Sequence, residues 1–236
     1  MNILVSGDSW TSCWPLEEHL GHRKFGWPTL VAQAFDSQLI DKSRAGTSNY
    51  RIYRKAFDQM LSGNIDIALI FLTSWSRSET GSSYGEKPGR IYQHLVGDTT
   101  PEASYFFKNF FNGYKNYTDM LRMIISLQLL ATNTGTKCYF LDTFDNNLFL
   151  DPVLDNFKEI LSYNIKIFEN TDDTRVLNKF DKVKNLTQAI DKSTFISTSS
   201  YQTLIKGHRL IRGHPAEDGH AKIAKVVIDF LKEKIL

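Results

Sequence analysis

Cysteine is almost absent: Cys13 and Cys138 are the only two in 236 residues. Two thiols so far apart are no disulfide framework, so the fold must rest on an apolar core. Both are read as reduced thiols of a cytoplasmic protein, with Cys13 a buried structural one. Long apolar runs are missing too. None approaches the roughly 20 residues that a membrane-spanning helix needs. Met1-Asn2-Ile3-Leu4-Val5 carries no basic region, apolar stretch or cleavage site of a signal peptide. The expectation is therefore a cytoplasmic protein with no membrane partner. Neither sign of charge dominates, since Lys and Arg number 28 against 26 Asp and Glu. That near-balance argues against nucleic acid as a partner. There is no internal repeat, low-complexity tract or linker, so one domain covering 1–236 is the default.

What the chain does have is alternation. Asn2 to Val5, Leu39-Ile40, Ile65 to Leu72 and Lys137 to Leu141 are short apolar runs of strand length, each ending at polar turn residues. Between them lie helical stripes: Tyr117, Met120, Leu121, Ile124 and Ile125, then Val153, Leu154, Phe157, Ile160 and Leu161. The last stripe is Ile223, Val226, Val227, Phe230 and Leu231, with charged residues outside it. Strands alternating with helices predict an α/β fold, a mostly parallel sheet covered on both faces. Two stretches fit poorly. Residues 78–116 read as an insertion or lid. Residues 170–202 read as a long polar loop that either is functional or hides short elements.

Ligands in such sheets bind at the carboxyl ends of the strands. Three polar turns follow three predicted strands: Gly7-Asp8-Ser9-Trp10, Ala45-Gly46-Thr47-Ser48-Asn49 and Thr73-Ser74-Trp75-Ser76-Arg77. A serine there is a nucleophile only with a base beside it. His214 is the best candidate, held just ahead of the last helix if Pro215 opens that helix. Asp8-Ser9 could equally be a helix N-cap. A metal cluster of His208, His214 and His220 lacks i, i+4 pairing and a carboxylate, so neither metal nor cofactor is expected. His220 is read as capping or packing. Tyr84, Tyr92, Tyr105 and Phe106 could stack on sugar rings or form a satellite core.

These blocks resemble the SGNH, or GDSL-type, hydrolase superfamily. Gly7-Asp8-Ser9 matches its nucleophile block, Gly46 its oxyanion-hole glycine, and His214-Pro215, continued by Gly219-His220 and Ala224, its histidine block. The Gly-x-Ser-x-Gly elbow of the α/β-hydrolases is absent. The resemblance implies a three-layer, flavodoxin-like α/β/α sandwich. It also implies an esterase or deacetylase acting on a small acyl ester, an O-acetylated sugar or glycan among the candidates. Ser9 would be the nucleophile, His214 the base, and the Ser9 and Gly46 N–H groups the oxyanion donors.

The sequence departs from the family twice. The Asp usually found three residues before the histidine is Ile211 here, and the usual oxyanion Asn falls at or near Trp75. Thr73-Ser74-Trp75-Ser76-Arg77 is similar to the Thr-Ser-x-x-Arg turn of a subset that includes versions from large phages. A dyad remains workable if a backbone carbonyl holds the imidazole. Asn49, Thr73, Ser74 or Arg77 could supply the missing donor, with Asp8 a further possible contact. The rival expectation is a degenerate relative that binds a glycan or protein without turnover. Acyl transfer at the same site is a third.

Overall fold

The computed structural model describes residues 1–12, 26–81, 91–94, 101, 105, 112–144, 146, 148–149 and 174–235. Cys13, Tyr84, Phe106, the stripe from Val153 to Leu161 and much of 78–116 lie outside these. In chain order the elements are β1 (Asn2–Ser6), α1 (Trp27–Ala34), β2 (Gln38–Asp41), α2 (Asn49–Leu61), β3 (Ile67–Leu72), β4 (Ser78–Gly81) and β5 (Ile91–His94). They continue with α3 (Gly113–Thr134), β6 (Lys137–Asp142), α4 (Thr174–Ala189), α5 (Tyr201–Leu204), β7 (Leu210–Ile211), β8 (His214–Pro215) and α6 (Glu217–Ile235). They form two compact units interleaved in sequence. One is Met1–Ser74 with Ser126–Asn146 and Lys192–Leu236; the other is Trp75–Ile125 with Asn147–Asp191.

The first unit is a parallel sheet in the order β2-β1-β3-β6. Val5 pairs with Asp41 on one side and Leu69 on the other. The strands are short and nearly all apolar because both faces are covered. Odd-numbered residues Ile3, Val5, Ile67, Leu69, Phe71, Tyr139 and Leu141 share a core with Trp27 and Val31 of α1 and Ile223, Val227 and Leu231 of α6. On the opposite face Ser6 donates to the Ile52 carbonyl of α2, and Phe140 stacks on Phe195. The result is the three-layer α/β/α sandwich that the sequence predicts. Cys138 is buried in β6, and desolvation raises its thiol far above the ordinary value, as befits an inert packing residue.

The second unit contains the antiparallel pair β4–β5, the first half of α3, and α4. Tyr117, Met120, Leu121 and Ile124 are buried along α3, and the edge of Tyr117 meets Trp75. The stretch 170–202 is not one loop. It holds α4, a 3₁₀ turn at Lys192–Thr194 and the short α5. Val183, Thr187 and Ile190 are buried at helical spacing among residues that are mostly Lys, Asp, Asn and Gln. So thin a stripe carries a weak periodic signal.

The chain leaves β1 for β2 on one side and returns to β3 on the other. The topological switch therefore lies between β1 and β3, and Ser9 and Thr73 follow the carboxyl ends of those two strands. Gly7 makes the sharp exit from β1 possible. A Cβ built there would lie 2.2 Å from Thr11 Oγ1 and 2.6 Å from Thr11 Cβ. Gly7→Ala should therefore destabilise the fold by about 1–3 kcal/mol, the usual range for overpacking. Urea denaturation of both proteins checks this; an unchanged midpoint would mean that the turn can relax.

Candidate active site

The turn after β1 begins as a helical turn. The Asp8 carbonyl accepts from Thr11 N–H and Ser12 N–H, and Asp8 Oδ1 accepts from Trp10 N–H at 2.9 Å. Capping is thus part of what Asp8 does. Its other oxygen accepts from Thr73 Oγ1 at 2.9 Å, which ties the Ser9 turn to the end of β3. Asp8 is fully buried, so its carboxylate is a strut within the protein.

Thr73 is clamped at every polar group. Its N–H donates to Asn49 Oδ1, and its carbonyl accepts from Asn49 Nδ2 and Asn146 Nδ2. Asn146 Nδ2 also donates to Asp142, so both of its amide hydrogens are engaged. Of the candidate oxyanion donors, Thr73 has its hydroxyl on Asp8 and Asn49 has its amide on the Thr73 backbone. Ser74 is half-buried at the end of the first unit, while Trp75 and Arg77 belong to the second. The sequence reading missed Asp142 and Asn146. An Asp closing a strand with an Asn four residues on was the only signal available.

Ser9 is 4% exposed, and its Oγ lies 2.8 Å from His214 Nε2. The other ring nitrogen, Nδ1, lies 2.9 Å from the Arg212 carbonyl. A carbonyl only accepts, so Nδ1 carries the proton and Nε2 is free to accept from the Ser9 hydroxyl. That is the tautomer a general base needs.

How the chain presents His214 differs from the sequence expectation. Pro215 does not open the last helix. It pairs with Leu210 in β8, opposite β7, and α6 begins only at Glu217. Arg212 and Gly213 form the two-residue connection, both with positive φ, 49° and 76°. Two such residues are what a primed hairpin turn requires. Proline suits a helix start and an edge strand alike, and the hairpin prevails. Ile211 stands directly across from His214 and has no group that could accept from the imidazole. The left-handed Arg212 supplies its carbonyl instead. For a non-glycine residue that conformation costs about 1–2 kcal/mol.

Gly46 also has a positive φ, 67°. Its loop is joined to the Ser9 turn by Arg44 N–H donating to the Gly7 carbonyl. Among the described residues, neither the Ser9 nor the Gly46 backbone N–H has a protein acceptor.

The three histidines have separate partners. His208 pairs with Asp218 and His214 with Ser9, while His220 Nδ1 lies 3.2 Å from the Tyr201 hydroxyl. Among the described residues no His, Cys, Asp and Glu side chains gather as a metal site, and no helix is long and apolar enough to cross a membrane. His220 is fully buried, and desolvation, then the charge of His214, push its pKa down to about 4.

No family model and no curated protein sequence matches the chain. Solved structures do. TesA superposes with a TM-score of 0.54 at 15% identity, over 99% of each chain. The psychrotrophic esterase EstA from Pseudoalteromonas sp., solved inhibited by monoethylphosphonate, gives 0.52 at 12% identity over 99% of this chain and 98% of its own. LAE5, an alpha/beta hydrolase enzyme from the metagenome of Lake Arreo, gives 0.50 at 12% identity over 98% of this chain and 94% of its own. What is shared is the architecture, a mostly parallel sheet covered by helices on both faces.

Proposed function

We propose that this chain is a serine hydrolase that cleaves a small acyl ester through a Ser9–His214 dyad and a covalent acyl-enzyme. An O-acetylated sugar or glycan is the substrate class that the sequence resemblance implies. Residues 1–236 are read as one such domain, with 78–116 an insertion or lid. The observation that carries the reading is the 2.8 Å contact between Ser9 Oγ and His214 Nε2. The Arg212 carbonyl on the opposite nitrogen sets the tautomer.

In this mechanism His214 Nε2 takes the hydroxyl proton as Ser9 Oγ bonds to the ester carbonyl carbon. The negative charge that forms on the carbonyl oxygen is met by the Ser9 and Gly46 N–H groups. Donors of this kind are worth roughly 3–4 kcal/mol each. As the tetrahedral species collapses, the bond to the leaving alcohol breaks and Nε2 returns the proton to that oxygen. A water then attacks the acyl-Ser9 ester by the same route and frees the carboxylic acid.

A fluorophosphonate probe tests the nucleophile directly. Wild type should be modified at Ser9, and Ser9→Ala should neither label nor hydrolyse an activated acetyl ester. Equal hydrolysis by the two proteins would remove Ser9 from the chemistry. Wild type that neither labels nor hydrolyses would favour a binding role without turnover.

A further inference from the structure

We infer that Trp10 is a positioning residue for His214, supplying through ring packing part of the orientation that a carboxylate would otherwise give. The inference rests on the dyad reading above. The His214 imidazole is held by hydrogen bonds at its two nitrogens, to Ser9 and to the Arg212 carbonyl. Both bonds lie near the ring plane, on the two nitrogens that flank a single ring carbon. They set its position along one line but resist rocking about that line poorly. The family's aspartate would add a charged restraint at Nδ1, and position 211 holds Ile instead.

The Trp10 indole packs beside the His214 ring. Its ring lies 6.4 Å from the His214 ring, inclined at 55°. Trp10 is itself 6% exposed and cannot easily yield. Its ring makes edge contacts with Phe144 at 5.1 Å and with Tyr201 at 5.4 Å. Tyr201 is fully buried, packs edge-on against Phe71 of β3, and has its hydroxyl on His220 of α6. At the backbone, Trp10 N–H is fixed on Asp8 Oδ1. One rigid aromatic column therefore runs from the central sheet and the last helix to the ring of the base. Interlocked edge-to-face rings hold such an arrangement well.

A side chain that orients the base affects the chemical step and leaves substrate affinity alone. Trp10→Leu should lower kcat ten- to a hundredfold with KM unchanged, and Trp10→Phe should lose several-fold. Residue 211 pairs directly with His214 across the hairpin, where opposed Cβ atoms lie about 4.5–5.5 Å apart. An aspartate there can hold the imidazole by a second route. Ile211→Asp in the Trp10→Leu background should therefore restore most of the loss, and it should restore nothing in Ser9→Ala. If Trp10→Leu does not fold, Trp10→Phe with and without Ile211→Asp makes the same comparison. Nitrogen-15 NMR of the His214 ring gives a readout without turnover. The Nδ1–H tautomer should persist in wild type and Trp10 variants alike, because the Arg212 carbonyl is kept. Relaxation of the ring signals should show a rigid imidazole in wild type and a mobile one in the Trp10 variants. An unchanged kcat, a loss confined to KM, a loss that Ile211→Asp does not repair, or unchanged ring mobility would overturn the inference. Absent Ser9 labelling in wild type would instead overturn the dyad reading, and the NMR comparison would still decide the role of Trp10.

Discussion

Replacing His214 by Gln is expected to lower kcat for ester hydrolysis by about 10³-fold or more, and Ser9→Ala should cost about as much. Members of one catalytic unit fail together, so the double variant should be no worse than either single one. The size of the loss carries the information. In serine proteases, removing the histidine of a complete triad costs roughly 10⁶ in kcat, and removing only the orienting acid costs about 10⁴. A dyad with nothing behind the imidazole would therefore retain about 10² of histidine-dependent rate. Here the Arg212 carbonyl takes the Nδ1 hydrogen at 2.9 Å. It fixes the tautomer, but it carries no full negative charge to stabilise the imidazolium. The expected loss therefore lies between those two limits. Steady-state kinetics of wild type and His214→Gln on one activated ester locate it. A loss near 10² would mean that the carbonyl does little beyond holding the ring, and a loss below tenfold would remove His214 from the mechanism.

The same hairpin marks where the sequence stops being legible. The four central strands can be read directly: Asn2 to Val5, Leu39-Ile40, Ile65 to Leu72 and Lys137 to Leu141 fall within about two residues of β1, β2, β3 and β6. Burial on both faces forces those runs to be apolar, and that is a strong local signal. The partnership of Ser9 with His214, 205 residues apart in sequence, has no local periodic signal; the polar turn, the His-Pro step and the resemblance together suggest it. Neither β7 nor β8 could be seen, because each has two residues and strand periodicity needs more. The connecting pair is Arg212-Gly213 rather than the Asn-Gly that usually marks such a turn. A backbone carbonyl as the partner of His214 is a consequence of conformation, and residue identity does not encode it. The Thr73 clamp was hidden for a similar reason. Asn49 and Asn146 act on backbone atoms, and any strand end offers the same atoms.

Acid should weaken this fold through His220. Its ordinary value in the unfolded chain is 6.5, and in the folded protein it is pushed down to about 4 by burial and by the neighbouring charge of His214. Above pH 6.5 the ring is neutral in both states and stability does not depend on it. As pH falls from there towards 4, the unfolded chain binds a proton that the folded protein refuses. Stability therefore drops across that window, by about 3 kcal/mol in all for a shift from 6.5 to about 4. His220→Leu removes the titration. It also removes the contact that His220 makes with the Tyr201 hydroxyl, a cost of about 1–3 kcal/mol at every pH. The variant should thus be less stable at pH 7 yet lose about 3 kcal/mol less than wild type on going to pH 4. Urea denaturation at the two pH values measures both quantities, and parallel losses would show that His220 does not bind its proton in this way. The depressed value also bears on the chemistry. His220 neutral at pH 7 puts no cation beside the imidazolium that the mechanism forms on His214. A charged residue in its place should repel that imidazolium and slow the step. His220→Lys, if it folds, should therefore lose more kcat than His220→Leu.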